Sequence, residues 1–343
     1  MGALVKHDEN PAAPPPTGPR FPGWRRTPAR AAAVTLGLTL PWGVWLLVRM
    51  LGLEAGYPLV PAIAFTPYIA LTALLPPVVA GYLRSWRLLA LTMVPVVAFA
   101  ALVTPRAVSG TEAGQDGSRL VVLTANLYQG RADLGVIADL VERAEVDVLA
   151  VQELTPEAAE AMTEVGVAQA LPHDVVDARP GVSGSAIYAR HPVTDVTALD
   201  VADTHAFARP SAEITIADAP PVEVTSAHPV PPTTPDAVGQ WQREIAALPR
   251  AENDGPLRII AGDFNATLDH AALRELLDTG YRDAAEEAGA GLRPTWSTTS
   301  AVLRLTIDHV LADERVTVDS ASVHNVLGSD HRAVLAEFTL PAT

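Results

Sequence analysis

The sequence predicts an α/β domain from residue 119 onward, preceded by three transmembrane helices. Three long apolar segments lie within the first 103 residues, and strand-like and helix-like segments alternate after residue 119. The charge divides at the same place, because residues 1–103 carry eight basic and three acidic side chains, whereas residues 104–343 carry 16 Arg and 36 Asp or Glu. The two parts are therefore expected to lie in different surroundings.

The N-terminal region begins with a polar tail, residues 1–30, which is rich in Pro and Ala and includes PAAPPPTGPR. It lacks the apolar surface needed to fold, so we expect a disordered cytoplasmic tail. The apolar segments 31–48, 59–80 and 88–103 follow, and each approaches the ~20 residues that a spanning helix needs. A cleaved signal peptide before a buried hydrophobic domain is the alternative, but it explains only the first segment.

The basic residues beside the apolar segments predict the orientation. Five of them precede the first segment, and Arg84 and Arg87 join the second segment to the third, whereas only Arg49 and Arg106 lie on the opposite side. The positive-inside rule then places the N-terminus in the cytoplasm and the chain after the third crossing outside the cell membrane. Residues 104–118 include SGTEAGQDGS, which predicts a polar linker that lets the domain stand off the bilayer.

Cysteine is absent from the sequence and lysine is nearly absent, which excludes several kinds of catalytic site. The chain has no cysteine, which excludes disulfides, a thiol nucleophile and a cysteine zinc site. Its only lysine is Lys6, which excludes a P-loop lysine and a Schiff-base lysine in the α/β domain.

Polar residues follow the ends of several predicted strands. An apolar run ends at Gly262, and Asp263 and Asn265 then lie two residues apart, so an extended backbone turns both to one face and Phe264 to the other. A simple turn is the alternative, because Asp and Asn often cap backbone donors. The residues in comparable positions after other strand-like runs are Asn126, Glu153, His228, Asp308, Asp330 and His331. Such carboxylates suit a hard cation, and such amides and imidazoles suit a phosphate.

Six short motifs carry these residues in the order TANLYQG, VQE, SAHP, AGDFNAT, TIDHVL and GSDH. Their order and spacing resemble the endonuclease/exonuclease/phosphatase superfamily, which includes DNase I, abasic-site endonucleases, sphingomyelinases and inositol-polyphosphate 5-phosphatases. The resemblance covers residues 119–340 and implies a catalytic domain at 119–343 with a four-layered α/β sandwich. It also implies metal-dependent hydrolysis of a phosphoester or phosphoanhydride.

The resemblance implies roles for the cation and the water. Glu153 is expected to bind Mg²⁺ or Mn²⁺, with Asp330 as a further ligand and Asn126 supporting metal or phosphate. Asp263 is expected to orient or deprotonate the attacking water.

The remaining site residues are expected to contact the phosphate. By resemblance, Asn126, Asn265, His228 and His331 stabilise the charge that develops there, and His228 is a candidate to protonate the leaving oxygen. Asp330 and His331 are neighbours that point opposite ways on an extended backbone, so we expect Asp308 to hold the far nitrogen of His331.

Several other residues are left outside the predicted site. Trp296 is a candidate for stacking on the substrate, but an aromatic residue is more often part of a core. His309 stands where DNA-repair relatives usually have Tyr, and Leu154 where they often have Thr, which argues against an abasic-site activity. Five histidines match no motif and are expected at the surface or in the core: His173, His191, His205, His270 and His324.

The substrate prediction depends on charge and attachment. Residues 104–343 have a net charge of −20 and no lysine, which disfavours binding to duplex DNA. Attachment beside the outer leaflet favours a substrate within the membrane. Three spans before an external domain resemble actinobacterial membrane proteins linked to teicoplanin resistance, which suggests a lipid-linked phosphate or pyrophosphate of the cell-wall pathway. The alternatives are an extracellular DNase I-like nuclease and an inactive membrane protein for binding or signalling.

Overall fold

The structure is a computed structural model that describes residues 28–111, 117–197, 207–252, 254–297 and 303–342. Three predictions fall outside these residues, wholly or in part. They concern the tail up to residue 27, the middle of the linker at 112–116, and His205.

The N-terminal helices include two long ones. Within residues 28–111 the α-helices are α1 (Pro28–Leu51), α2 (Leu59–Ile63), α3 (Thr66–Thr72), α4 (Leu75–Tyr82) and α5 (Trp86–Val103). In the described residues, α1 and α5 are long and apolar enough to cross a membrane. The second predicted span is not one continuous helix but α2, α3 and α4, because Pro67 and Pro76 are the second residues of α3 and α4, in the first turn, where proline is tolerated at the start of a helix but not in its interior.

The helices pack into a small bundle. Trp45 Nε1 donates to Thr66 Oγ1 and Trp42 Nε1 donates to Thr72 Oγ1, each over 3.0 Å. The earlier tryptophan in α1, Trp42, is paired with the later threonine in α3, Thr72, so these helices are antiparallel. Phe99 of α5 is buried against both. Helices α1, α3 and α5 therefore share one small apolar core.

The bundle contacts the α/β domain directly. Arg49, in the last turn of α1, donates through Nε to Asp269 Oδ1 over 3.0 Å. Arg106, in the short 3₁₀ helix Thr104–Ala107 after α5, donates twice to the same carboxylate over 2.7 and 2.8 Å. The Asp269 side chain is fully buried. Both helices therefore end at one carboxylate of the domain, and the prediction of a polar linker at 104–118 stays a prediction.

The α/β domain contains two six-stranded sheets in its described residues. Its strands are β1 (Gly117–Asn126), β2 (Val148–Gln152), β3 (His173–Asp177), β4 (Ser185–Ala189), β5 (Val193–Asp195), β6 (Ser211–Ile214), β7 (Val222–Ala227), β8 (Leu257–Asp263), β9 (Tyr281–Asp283), β10 (Trp296–Ser297), β11 (Arg304–Leu305), β12 (Asp308–Asp313), β13 (Thr317–Asn325) and β14 (Arg332–Pro341). The strand orders are β13-β14-β1-β2-β4-β3 and β5-β6-β7-β8-β12-β9, and β10 pairs with β11 separately.

Helices cover the outer faces of both sheets. They are α6 (Leu134–Arg143), α7 (Pro156–Glu164), α8 (Val167–Ala170), α9 (Pro235–Ala246), α10 (Ala271–Leu277) and α11 (Ala284–Glu287). The inner faces share one apolar core, in which Val122 of β1 lies in the same cluster as Ile259 of β8. Ile137 of α6 packs on the first sheet and Trp241 of α9 on the second. The predicted four-layered α/β sandwich is confirmed.

Strand register brings the predicted polar residues to one edge of the sandwich. Asn126 is paired with Gln152 at the ends of parallel β1 and β2, and Asp263 is paired with Asp308 across antiparallel β8 and β12. Strands β7 and β8 approach closely at Gly262, where a Cβ atom would lie 2.0 Å from the carbonyl oxygen of Ala227. Glycine at this position therefore allows the following residues, His228 and Asp263, to lie side by side.

Candidate active site

A buried row of two carboxylates and one imidazole forms the centre of the site. His331 Nδ1 lies 2.9 Å from Asp308 Oδ2, and His331 Nε2 lies 3.6 Å from Asp263 Oδ2. Burial opposes the positive charge on His331, but Asp308 and Asp263 outweigh it and raise its pKa to about 10. Burial raises the pKa of Asp263 to about 7, against the effect of the neighbouring imidazolium. At neutral pH the row therefore contains a charged imidazole beside a carboxyl group poised to take a proton.

His228, directly after β7, lies on the other side of Asp263. Its Nε2 is 3.7 Å from Asp263 Oδ2, and its ring packs on Phe207 with a centroid distance of 4.8 Å. Burial, together with the charge on His331, lowers the pKa of His228 to about 3. The ring is therefore neutral at neutral pH and suits hydrogen bonding to a phosphate, while protonation of a leaving oxygen by His228 stays a prediction.

Asn126 links the two sheets at the site. Its Nδ2 donates to Glu153 Oε1 over 3.2 Å and to Asp263 Oδ2 over 3.1 Å. Its Oδ1 accepts a hydrogen bond from the backbone N–H of Tyr128 over 2.9 Å. Because the amide nitrogen faces the carboxylates and the oxygen accepts from Tyr128, Asn126 orients Glu153 and Asp263 in this structure, and its support of a metal or phosphate stays a prediction.

Glu153 and Asp330 supply the oxygen donors that a hard cation prefers. Burial raises the pKa of Glu153, and its backbone has a φ of +55°, an uncommon conformation outside glycine. Asp330 Oδ2 accepts a hydrogen bond from Trp296 Nε1 over 3.1 Å. Its Oδ1 is buried and has no hydrogen-bond partner among the residues that the structure describes. An unpaired buried carboxylate oxygen fits a cation ligand, so the two residues present suit the implied metal.

Asp263, Asp308 and His331 are a second group with metal-ligand chemistry, since one ligand atom of each lies within 4.8 Å of the others. Their hydrogen bonding argues for another use. His331 Nδ1 is occupied by Asp308, and a protonated imidazole does not bind a metal. Glu153 and Asp330 are therefore the residues that could hold a cation, and the row has the groups for proton chemistry.

The segment that contains Asp263 and Asn265 is both a turn and part of the site. Asp263 Oδ1 accepts a hydrogen bond from the backbone N–H of Asn265 over 2.8 Å, which is an Asx turn. Asn265 has a φ of +49°, and its Nδ2 donates to the carbonyl oxygen of Pro229 over 3.0 Å. The two alternatives from the sequence therefore hold together, because the turn fixes Asp263 while its Oδ2 faces the row.

Three residues that the sequence did not assign to the site position its members. Thr295 Oγ1 accepts from the backbone N–H of Asp308, and Ser329 Oγ both accepts from the backbone N–H of His331 and donates to the carbonyl of Asn126. Trp296, left out of the catalytic prediction, fixes Asp330. In the sequence, the tryptophan at 296 and the serine of GSDH could have indicated these roles. Neither residue type distinguishes support of a site from ordinary packing.

A cavity of about 490 Å³ opens onto these groups. Of the predicted site residues, six line it: Glu153, His228, Asp263, Asn265, Asp330 and His331. Asn126 and Asp308 contact them from behind. His173, His191 and His324 are partly exposed in the α/β domain, as expected, whereas His270 is buried and also borders the cavity.

This geometry agrees with a comparison of the sequence with known families. Residues 123–331 match the model of the Endonuclease/Exonuclease/phosphatase family, which is more than half of the chain. The chain belongs to this family. Its members are hydrolases of phosphoester bonds and generally depend on a divalent metal. No curated protein matches the sequence.

Solved structures show the family fold in other proteins. D. rerio TDP2, crystallised with a single-strand DNA product, matches with a TM-score of 0.51 and 17% identity over 65% of this chain and 99% of that chain. The family member from Beutenbergia cavernae gives 0.49 and 17% over 65% and 72%, and the 3′ phosphatase NExo from Neisseria, bound to a product DNA hairpin, gives 0.49 and 18% over 64% and 99%. At these identities the likeness shows the fold alone.

Within this family member, His309 has a structural role on the opposite face of β12 from Asp308. Its Nδ1 lies 2.7 Å from Asp283 Oδ2, and its Nε2 lies 2.9 Å from the carbonyl oxygen of Ala266. Both ring nitrogens thus face acceptors. Burial opposes the charge, but Asp283 outweighs it and raises the pKa of His309. A buried imidazolium–carboxylate pair therefore supports the strand that carries Asp308.

Replacing His309 with asparagine is expected to lower the free energy of unfolding by about 3–5 kcal/mol, because Asp283 then keeps a buried charge without its partner. Because the pKa of His309 is raised in the folded state, the His309–Asp283 pair contributes its full stabilisation below about pH 6.5 in the wild type. This stabilisation is lost progressively as the pH rises through the folded-state pKa. Urea unfolding followed by tryptophan fluorescence at several pH values measures both effects. His324→Asn, at a partly exposed histidine, is the control, and an equal loss in the two variants would contradict the role of the pair.

Proposed function

We propose that the protein is a membrane-anchored, extracytoplasmic phosphoesterase that uses Mg²⁺ or Mn²⁺ to hydrolyse a phosphoester or pyrophosphate bond in a lipid-linked cell-wall intermediate. The observation that carries the hydrolysis is the buried row of Asp263, His331 and Asp308 beside the unpaired oxygen of Asp330. Two apolar helices that are long enough to span a membrane support the anchoring.

Glu153 and Asp330 would hold the cation through their carboxylate oxygens, and both line the cavity. When bound, a divalent cation neutralises phosphate oxygens and the leaving group. The mutual repulsion of the two carboxylates contributes to the raised pKa of Glu153, so a cation between them removes an unfavourable interaction.

The remaining chemistry belongs to side chains of the row and its neighbours. Asp263 takes a proton from the attacking water, and its pKa of about 7 is matched to that task near neutral pH. The water oxygen forms a bond to phosphorus while the bond to the leaving oxygen breaks in line with it. His331 donates from Nε2 to a phosphate oxygen, with its ring fixed by Asp308, and neutral His228 donates a second hydrogen bond. The scheme needs no covalent phosphoenzyme.

The direction of the helices supports three crossings with the catalytic domain outside. Helices α1 and α5 both end at Asp269, so the chain between them must return, and residues 66–82 form the apolar return segment. Seventeen residues correspond to about 25 Å of helix, at the short end of the range for a span. Arg84 and Arg87 follow the return segment at the end away from the domain, which assigns that end to the cytoplasm by the positive-inside rule.

Hydrolysis assays on the purified full-length protein with Mg²⁺ test the proposal and its rivals. The substrates are bis-p-nitrophenyl phosphate, supercoiled plasmid DNA and a polyprenyl diphosphate. Phosphate release from the polyprenyl diphosphate without nicking of the plasmid is the expected result. Plasmid nicking without phosphate release would favour the nuclease alternative, and no turnover of any substrate would favour an inactive binding protein.

Asp330→Asn is expected to raise the Mg²⁺ concentration for half-maximal activity by about tenfold or more, because the variant loses a charged ligand oxygen. Activity should recover at high Mg²⁺, which separates a ligand from a residue that only supports the fold. A Mg²⁺ titration of bis-p-nitrophenyl phosphate hydrolysis measures the shift, with Asp174→Asn, at an exposed position of β3, as the control. The same Mg²⁺ dependence in all three proteins would remove Asp330 from the cation site.

A further inference from the structure

One wall of the active-site cavity comes from the N-terminal helices instead of the α/β domain. Pro61, Ala64 and Phe65, from α2 and the turn after it, line the cavity together with Asp263 and His331. The sequence places Pro61 about 200 residues before the first of these catalytic groups. The membrane region therefore forms part of the site itself.

Contacts at both ends fix this wall to the catalytic domain. Before α2, the Glu54 carboxylate accepts a hydrogen bond from the backbone N–H of Ala271. Within α2, Val60 is fully buried in the apolar cluster of the second sheet. After α2, the Tyr68 hydroxyl donates to the carbonyl oxygen of Arg304 over 2.8 Å and accepts from the backbone N–H of Arg304 over 3.0 Å. The wall is thus held to the catalytic domain before, within and after α2.

The wall is apolar, and other apolar residues line the same cavity. Phe207, Leu305 and Ile307 line it together with Phe65, so the cavity has apolar side chains as well as the charged and polar groups of the site. These apolar side chains offer an uncharged surface to the substituent of a phosphate held by His331. Burial of apolar area there is favourable by roughly 25 cal/mol per Å², whereas a charged nucleotide chain would lose hydration without a partner.

Exposed apolar side chains lie close to the cavity wall along the chain. Leu53 and Tyr57, just before α2, and Leu71, in α3, are each more than half exposed. Exposed apolar side chains next to helices long enough to span a bilayer suit a membrane-facing surface. A long apolar substituent held at the cavity wall would therefore lie near a surface that suits the bilayer.

We infer that residues 58–68 form a subsite for the apolar chain of the substrate, with Phe65 as its specificity-determining residue. This inference rests on the proposed function, in which the row of Asp263, His331 and Asp308 receives the phosphoryl group. The ligand is a phosphoryl group whose ester oxygen carries a long hydrocarbon chain, whether isoprenoid or acyl.

A labelling experiment tests the subsite without turnover. Because the chain has no cysteine, Phe65→Cys creates a single thiol at a partly exposed position of the wall. The full chain in phosphatidylcholine nanodiscs is treated with a maleimide in the presence of dodecylphosphonic acid or methylphosphonic acid, which share a head group and differ in the chain. We expect dodecylphosphonic acid to slow labelling about tenfold at ten times its Kd, and methylphosphonic acid to have no effect.

Tyr82→Cys, at a fully accessible position at the other end of the bundle, is the matched control for effects of the ligand on the bilayer. The subsite would be overturned by any one of three results: equal protection of the two positions, equal protection by the two phosphonic acids, or no protection at position 65. Protection at position 65 in a protein that hydrolyses no phosphoester would support the subsite and contradict the proposed function, so the two failures are distinguishable.

Kinetics with Phe65→Ala identify the chain. We expect kcat/KM to fall about tenfold more for a substrate whose chain occupies the subsite than for bis-p-nitrophenyl phosphate, which has no chain. A fall with farnesyl diphosphate identifies an isoprenoid chain, and a fall with phosphatidic acid identifies an acyl chain. Equal changes for all three substrates would overturn the role of Phe65 in specificity.

Discussion

Asp263→Asn is expected to lower kcat by about 10²- to 10⁴-fold while the protein remains folded. Asparagine keeps the size of the side chain and an oxygen that accepts from the backbone N–H of Asn265, so the turn is preserved. It cannot take a proton from water. The amide nitrogen then takes the place of Oδ2, so the hydrogen bond that Asn126 donates there is lost at a cost of about 1 kcal/mol to stability, but a buried carboxyl group is also removed.

The rate of p-nitrophenolate release from bis-p-nitrophenyl phosphate measures this effect, and circular dichroism with thermal unfolding checks the fold. The pH profile adds a second test. In the wild type kcat/KM should rise as Asp263 loses its proton, and this limb should disappear from the residual activity of the variant. Residual kcat within tenfold of the wild type would assign the base to another residue.

Asp269→Asn is expected to destabilise the full chain by about 3–5 kcal/mol, although Asp269 lies outside the catalytic row. Its carboxylate is buried and balances Arg49 and Arg106, whose side chains are only 12% and 4% exposed. The amide keeps the shape but leaves two guanidinium groups without an opposite charge. Thermal unfolding in detergent micelles, followed by tryptophan fluorescence, measures the loss.

The matched control is Asp139→Asn, which breaks an exposed pair with Arg143, four residues later in α6. That pair is expected to contribute less than 1 kcal/mol, because water screens it. If the two variants unfolded at the same temperature, Asp269 would not be the connection that joins the helices to the domain.

The sequence predicted the architecture and most members of the site because their signals are local. An apolar run that ends in Asp263 or Asp308 indicates both a strand and a polar residue at its end. The alternation of side chains along an extended backbone then predicts that Asp263 and Phe264 point to opposite faces. The order of the motifs then predicted that these ends meet. The pairing of Asp263 with Asp308 in adjacent strands is the structural form of that prediction.

What the sequence did not predict depends on contacts between distant residues or on side-chain orientation. The residues around Asp269 do not indicate its role, because Arg49 and Arg106, with which it pairs, lie 220 and 163 positions away in the sequence. The orientation of the Asn126 amide depends on a hydrogen bond that it accepts from the backbone N–H of Tyr128, and no sequence pattern predicts that bond. The cavity wall at Phe65 was hidden in a segment predicted as a continuous span, because apolar composition does not distinguish a lipid-facing helix from one that closes a site.

The shared carboxylate at Asp269 also has a consequence for how the protein is made. Arg49 and Arg106 leave the ribosome well before residue 269, so both guanidinium groups lack their final partner while the rest of the domain is being made. The bundle can make this contact with the domain only after Asp269 has been synthesised. A chain truncated before residue 269 would therefore keep two guanidinium groups without the carboxylate that pairs them.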